Sequence, residues 1–358
     1  MHKKFIVMVS LVGALLLFNA SGVHTSSPPK SQTKTTNPHI SALVVEEYQL
    51  FPADKTYDNP CTDDGSCVPD SVYKKRSKWR TLQYPTEPTD SQMADEINKS
   101  IASFGYKLIK NKENKYYTLF KADKLLMKNL HHISSISMNK SKTRFFFGTK
   151  LYNDMASQDK SALFIDGAFK FLQEEDPSPI GFLKDKILKI KMLPTQHVKV
   201  KDRMIGYDSY ELYLDDTKIY DFTGLASPEG VIQSLYIYNN HWILEYLKVE
   251  DTTAHIERHS HVIIDGKDLN KALGALDIFN YTHLKGKPLY FFRDKKGTTR
   301  ISHAGTTLRY TYDNIMHYQC CSSSYFNPIT YESMISFYAI KKGYLYYVEA
   351  GIFLVSIR

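Results

Sequence analysis

The chain lacks the short signatures of the common chemistries. Across its 358 residues there is no Gly-x-Ser-x-Gly, no His-Glu-x-x-His and no Gly-x-x-x-x-Gly-Lys, so the cheap sequence evidence for a nucleophile elbow, a zincin site or a phosphate-cradling loop is missing. After residue 18 no apolar run approaches the ~20 residues that a helix needs to cross a bilayer. Cysteine is scarce, with four residues, and tryptophan scarcer, with two. No cofactor is expected from any of this.

What is present begins with a leader. Lys3 and Lys4 precede a short apolar run from Phe5 to Phe18, and Ala20-Ser21-Gly22 follows with small residues. That order is a secretory signal over residues 1–22, with the mature chain expected to start near Ser21 to His24. The chain is therefore expected to be secreted or held at the cell surface, with no membrane-spanning segment once the leader is removed.

Eight of the fourteen prolines fall between Val23 and Asp90, with a single glycine. Residues 23–90 read as an extended, Pro-rich tail, within which the run Ala42-Leu-Val-Val45 has the pattern of a strand able to dock on the main domain. Asp90 or Ser91 then opens a helix in which Met93, Ile97, Ile101 and Phe104 recur at helical spacing, with Gly105 as its stop. It is the one short helix expected.

From there to the end, over residues 91–358, the pattern is β. Tight-turn signals sit between Tyr/Phe/Ile-rich runs at 112–115, Asp166-Gly167, Asp215-Asp216, Asp265-Gly266, Ala304-Gly305 and Lys342-Gly343. Asp-Gly and related pairs supply the positive φ that a two-residue hairpin demands. Successive signals are spaced close to the roughly 40–50 residues of a four-stranded propeller blade. The expected fold is all-β, a β-propeller of about six blades, whose N-terminal strand completes the last one. A β-sandwich, with turns every 8–12 residues or so, is the competing architecture.

A second period accompanies the first. Ser134 to Asn139 leads into Arg144-Phe-Phe-Phe147, Ser227-Pro-Glu-Gly230 leads into Ser234-Leu-Tyr-Ile-Tyr238, and Ser322 to Pro328 leads into Met334-Ile-Ser-Phe-Tyr338. In these features residues 105–355 resemble the TolB-like and WD-repeat-like secreted bacterial β-propellers, whose blades carry a Ser-Pro-Asp-Gly-type turn before an apolar strand. The Trp-Asp dipeptide of the latter is absent. The segment from Tyr312 to Cys321 also resembles exported bacterial proteins of uncharacterised function, which brings no activity with it.

Candidate functional residues are few. In an exported chain four cysteines favour oxidation over metal binding; Cys61, Cys67, Cys320 and Cys321 are the disulfide candidates, with Cys61–Cys67 favoured as a local pair and a tail-to-domain pairing as the alternative. His317, Tyr318, Cys320, Cys321 and Tyr325 gather polar and aromatic groups beside the last inner strand, and form the candidate binding segment. His255, Glu257, His259 and His261 have alternating spacing that places side chains on one face of a strand and so have the pattern of zinc or copper ligands, although a solvated strand rim explains them as well and no metal is expected. Asp154, Asp166, Asp208 and Glu211 would serve a glycosidase only if two of them met in a cleft; Asp166 and Asp215 also have ordinary duty as turn residues.

The formal net charge is +8, two units of it from Lys3 and Lys4. The densest basic run, Lys74 to Arg80, suits an anionic surface or a solvated linker end, and export argues against nucleic acid as a partner. The 26 tyrosines and 19 phenylalanines fit strand packing, and secondarily a surface for sugars or peptides. The reading that follows is an exported binding or interaction module for a cell-surface glycan, peptide or protein. The alternative is a secreted glycan hydrolase with paired carboxylates.

Overall fold

In the computed structural model the described residues are 43–53, 90–111, 116–131, 133–134, 136–151, 160–173, 176–200, 203–226, 230–251, 256–318 and 326–352. The leader at 1–22, the tail outside 43–53, the turn at 112–115, and Asp154, His255, Cys61, Cys67, Cys320, Cys321 and Tyr325 all lie outside them.

The described chain is predominantly β. The expected helix runs from Asp90 to Ile101 and continues as a 3-10 turn to Phe104. Gly105 ends it at φ +76°, a left-handed conformation in which glycine meets no Cβ penalty. Ile97 and Ile101 are fully buried on its inner face. Asn98 pins the helix to the next strand through Leu108, accepting from its N–H at 2.6 Å and donating to its carbonyl at 2.8 Å. A second helix, Leu269–Leu273, was not foreseen. It forms because Asp268 caps it, accepting from the Lys271 N–H, and because Gly274 closes it in the left-handed region.

The strands follow one another as antiparallel meanders. The first group is β2 (Tyr106–Lys110), β3 (Tyr117–Lys121) and β4 (Lys124–His131), with the first helix beside it; the second is β5 (Ser137–Met138), β6 (Phe145–Leu151), β7 (Lys160–Ile165) and β8 (Ala168–Phe171). The third is β9 (Ser178–Leu183), β10 (Lys186–Met192), β12 (Arg203–Leu214) and β13 (Thr217–Leu225), with β11 (Gln196–Val200) paired to β12; the fourth is β14 (Ile232–Tyr238), β15 (His241–Asp251), β16 (Ile256–Ile264) and β17 (Lys267–Asp268). The fifth is β18 (Asp277–Leu284), β19 (Lys287–Arg293), β20 (Thr299–His303) and β21 (Thr306–Tyr312). In the last, β22 (Asn314–Ile315) and β23 (Ile329–Thr330) both pair with β24 (Met334–Lys341), and β25 (Tyr344–Gly351) pairs with β1 (Val44–Pro52). Val44 and Val45 of the expected run thus do open a strand, which completes the sheet formed by the end of the chain. Short bridges join neighbouring groups at their corners, Leu130 to Leu151 between the first and second and Gly224 to Lys248 between the third and fourth.

The contiguous aromatic runs have a simple cause. Successive side chains of a strand point to opposite faces, so a run such as Phe145-Phe146-Phe147 is stable only where both faces are covered. Phe145 and Phe147 pack with Tyr106, Phe164, Ile97 and Ile101 on the side of the first group. Phe146 turns the other way, onto Leu163, Ile187 and Phe182. The same division recurs at Trp242 and Leu244 against Ile243, and at Ile278 and Tyr290 against Phe279 and Phe291. The second to fifth groups are thereby each packed face to face between a predecessor and a successor, with about 1.5–3 kcal/mol available from each large side chain taken fully out of water.

The turns carry a repeat of their own. Asp166, Asp215 and Asp265 all have φ near +50°, and each bonds back twice to the residue facing it at the start of its group's second strand. Their N–H groups donate to the carbonyls of Phe145, Ile187 and Trp242, and their Oδ1 atoms accept from the N–H groups of the same three residues. Aspartate serves here because it tolerates the left-handed region and brings its own acceptor. The equivalent backbone bonds in the other three groups are Ala122 to Gly105, Ala304 to Pro288 and Ile352 to Ser333.

Candidate functional site

The histidine-rich strand and the segment after β22 meet at one buried carboxylate. Asp277, the first residue of β18, has a side chain only 8% exposed. Its Oδ1 accepts from the Ser260 N–H at 2.9 Å and from His259 Nδ1 at 3.2 Å, so the His259 ring carries its proton on Nδ1 in this contact. Its Oδ2 accepts from Arg293 Nε at 2.6 Å and Nη2 at 2.5 Å. A buried carboxylate needs this density of donors, because an unpaired charge in the interior is unfavourable by several kcal/mol. The Arg293 side chain remains 39% exposed and carries the cluster to the surface in a fixed orientation.

Asn270 holds the strand that supplies His259 and Ser260. Buried in the second helix, it donates to the Ser260 carbonyl at 2.7 Å and accepts from the Val262 N–H at 3.1 Å. Asp268, the cap of that helix, also receives His261 Nδ1 at 3.0 Å. The two histidines of β16 therefore answer to different carboxylates. Among the described residues no three His, Cys, Asp or Glu side chains gather as a metal centre. Of the remaining metal-ligand candidates, Glu257 lies on β16 and His255 just before it, outside the described residues.

His317 and Tyr318 reach the same cluster from the other side. The His317 ring stacks on Phe279 at 3.7 Å, and its Nδ1 donates to the Ile315 carbonyl at 2.6 Å. Burial holds this imidazole below the ordinary histidine range and so favours its neutral form. Tyr318 sits at φ +52°, uncommon for a bulky residue, and its hydroxyl lies 2.9 Å from Ser260 Oγ. The site thus joins β16, β18, β19 and the segment following β22. Asp277, Arg293, Asn270 and Asp268 were not foreseen as site residues. Of these, only Asp268 had a readable local signal, as a helix cap ahead of Leu269-Asn-Lys.

The carboxylates considered for glycan hydrolysis have local partners. Asp166 pairs with Arg144 at 2.8 Å, Asp208 accepts from Thr195 at 2.7 Å, and Glu211 takes the Tyr213 hydroxyl at 2.5 Å and Lys218 at 3.3 Å. Asp208 and Glu211, three apart on β12, face opposite sides of their strand.

No protein-family model and no curated protein matches the chain. Among solved structures it is similar to the β-propeller domain of the Trilobed protease from Pyrococcus furiosus, described as having an open velcro topology, at 10% identity and a TM-score of 0.31 over 69% of this chain and 74% of that one. Nothing in these comparisons points to TolB-like or WD-repeat proteins in particular.

Proposed function

We propose that the protein is an exported binding or interaction module, built as a six-bladed β-propeller, that meets its ligand at the Asp277 cluster, which Arg293 joins through Asp277 and Tyr318 through Ser260. The propeller reading is supported by six successive meanders packed face to face and by the pairing of the first strand with the last. Export is supported by the charged, apolar and small-residue order of residues 1–22. The observation that carries the site is the gathering of Arg293, His259, Ser260 and Tyr318, from three successive groups, around Asp277. A guanidinium gripped through Nε and one terminal nitrogen presents its remaining donors without first losing side-chain freedom, and fixed planar donors suit the hydroxyl, carboxylate or carbonyl groups of a glycan or peptide.

The test is a thermal-shift screen of glycans and peptides on the mature protein, since a ligand of the native state raises the apparent Tm by mass action. Arg293→Lys keeps the charge and loses the fork, and Tyr318→Phe loses only the hydroxyl. The hit is expected to give a smaller shift with both variants. A hit whose shift neither variant changes overturns the placement of the site. Intact Met1 on protein recovered outside the cell would overturn the cleaved leader.

A further inference from the structure

The opposite end of the meanders has a different chemistry. In an antiparallel group the connection between first and second strands lies at the same end as that between third and fourth, away from the Asp277 cluster. The first connections of successive groups touch in sequence. Arg144, just after the 139–143 turn, donates through Nη1 to the Asp185 carbonyl at 2.6 Å. A cleft of about 350 Å³ is lined by Lys140, Ser141, Lys184, Asp185 and Asn240, from the first turns of the second, third and fourth groups. A Cβ placed on Gly286, in the first turn of the fifth group, would lie 3.4 Å from the Tyr238 hydroxyl. Lys285 then pairs with Glu332, in the equivalent turn of the last group, at 2.6 Å.

Two of these turns are braced by a buried amide. Asn139 is 2% exposed; its Oδ1 accepts from the N–H groups of Thr143 and Arg144, and its Nδ2 lies 2.7–2.9 Å from Ser141, Thr143 and Asp185 oxygens. The braced turns present Lys140, Lys142, Lys184 and Lys186, all exposed. Among the described residues none of the four has an ion-pair partner, and the nearest carboxylate, Asp185, already accepts through Oδ1 from Asn139 and Ser141. Four like charges held on two facing turns repel one another, and an anion spanning both would relieve that repulsion. A second cleft of about 300 Å³ lies across the same loop, lined by Lys121, Arg144 and Asp166 among aromatic rings, and there Asp166 already pairs with Arg144. Four exposed lysines spread over two adjoining turns suit a repeating anion better than one tetrahedral ion.

We propose that this end of the molecule docks a linear, phosphate-bearing polyanion across the turns at 139–143 and 184–186. The proposal stands apart from the Arg293 site. Inorganic polyphosphate is the probe, titrated into the mature protein over a range of salt. Binding is expected to weaken steeply as salt rises. The K140E/K184E variant, surface changes that leave the core intact, is expected to bind at least about ten-fold more weakly. K99E/K199E makes the same change in net charge on the first helix and on β11, and is expected to bind within about two-fold of the parent. Equal losses in the two variants would mean that net charge alone is read, and would overturn the site. So would the absence of binding at low salt, or capture by phosphatidylglycerol vesicles without any binding of polyphosphate.

Discussion

The two ends of the molecule handle charge in opposite ways. Around Asp277 a buried anion is matched by Arg293, His259 and a backbone N–H, and the result is a junction between the fourth and fifth groups of strands. Around Asn139 the buried residue is a neutral amide, and the charges it positions are exposed lysines lacking described partners. Buried charge that is fully paired makes structure, and removing a partner is costly. Exposed charge that is unpaired contributes little to stability and remains available to a ligand.

The largest effect should come from breaking the first arrangement. Asp277→Ala leaves a guanidinium, an imidazole and the Ser260 N–H without their shared acceptor, and is expected to lower unfolding stability by about 3–5 kcal/mol in denaturant titration. K140A/K184A should stay within about 0.5 kcal/mol of the parent, as surface changes do. Similar values for the two would erase the contrast.

A second buried carboxylate sharpens it. Glu245 is 2% exposed and accepts from the N–H groups of Asn280 and Tyr281 at 2.6 and 2.9 Å, at a bulge in β18. Unlike Asp277 it has no described cation beside it, and burial pushes its pKa up from 4.5 to about 7. The native state therefore holds a proton that the unfolded chain has released between those values. Its contribution is complete below pH 4.5 and is lost as the pH rises through about 7. Glu245→Gln, which stands in for the protonated acid, should remove a pH-dependent difference on the order of 3 kcal/mol. Parallel stability profiles for parent and variant over pH 4–8 or so would show that folding does not shift the pKa of this carboxyl.

Asn139→Ala comes next, at about 1–3 kcal/mol, the range for buried polar groups left unsatisfied. It should also weaken polyphosphate binding, because the lysines lose their fixed spacing. A loss of stability with unchanged binding would separate the brace from the docking surface.

The difference between the ends also explains what could be read in the sequence. The hairpins at Asp166-Gly167, Asp265-Gly266, Ala304-Gly305 and Lys342-Gly343 were legible because positive φ is a local demand, and the chain meets it with local residues. Their period was slightly misaligned at both ends of the chain. Lys342-Gly343 joins the second and third strands of its group, where the four central turns join the third and fourth. In that last group the fourth strand is β1, about 300 residues upstream, so no turn marks the connection. The equivalent early turn is Ala122-Asp123, which lacks the Asp-Gly pair. The candidate segment at His317 and Tyr318 was visible from its composition, but Asp277 and Arg293 looked like ordinary ends of apolar strands. Their meeting depends on sheet packing across gaps of 16 to 18 residues, which no local pattern encodes. The second helix escaped notice because five residues are too few to show a period.

A smaller loss than these is the test of how far the Asp277 network extends. Tyr318 reaches it only through Ser260, by a neutral hydroxyl pair at 2.9 Å, while its ring lies edge-on to Phe279 and His317. Tyr318→Phe keeps the ring contacts and is expected to cost about 1 kcal/mol, the net worth of one such bond. Ser260→Ala removes the same bond from the other side, so the double variant should cost less than the sum of the singles, with a coupling of about 0.5–1.5 kcal/mol. A coupling near zero would mean that packing against Phe279 and His317 sets the position of Tyr318, and that the polar network ends at Ser260.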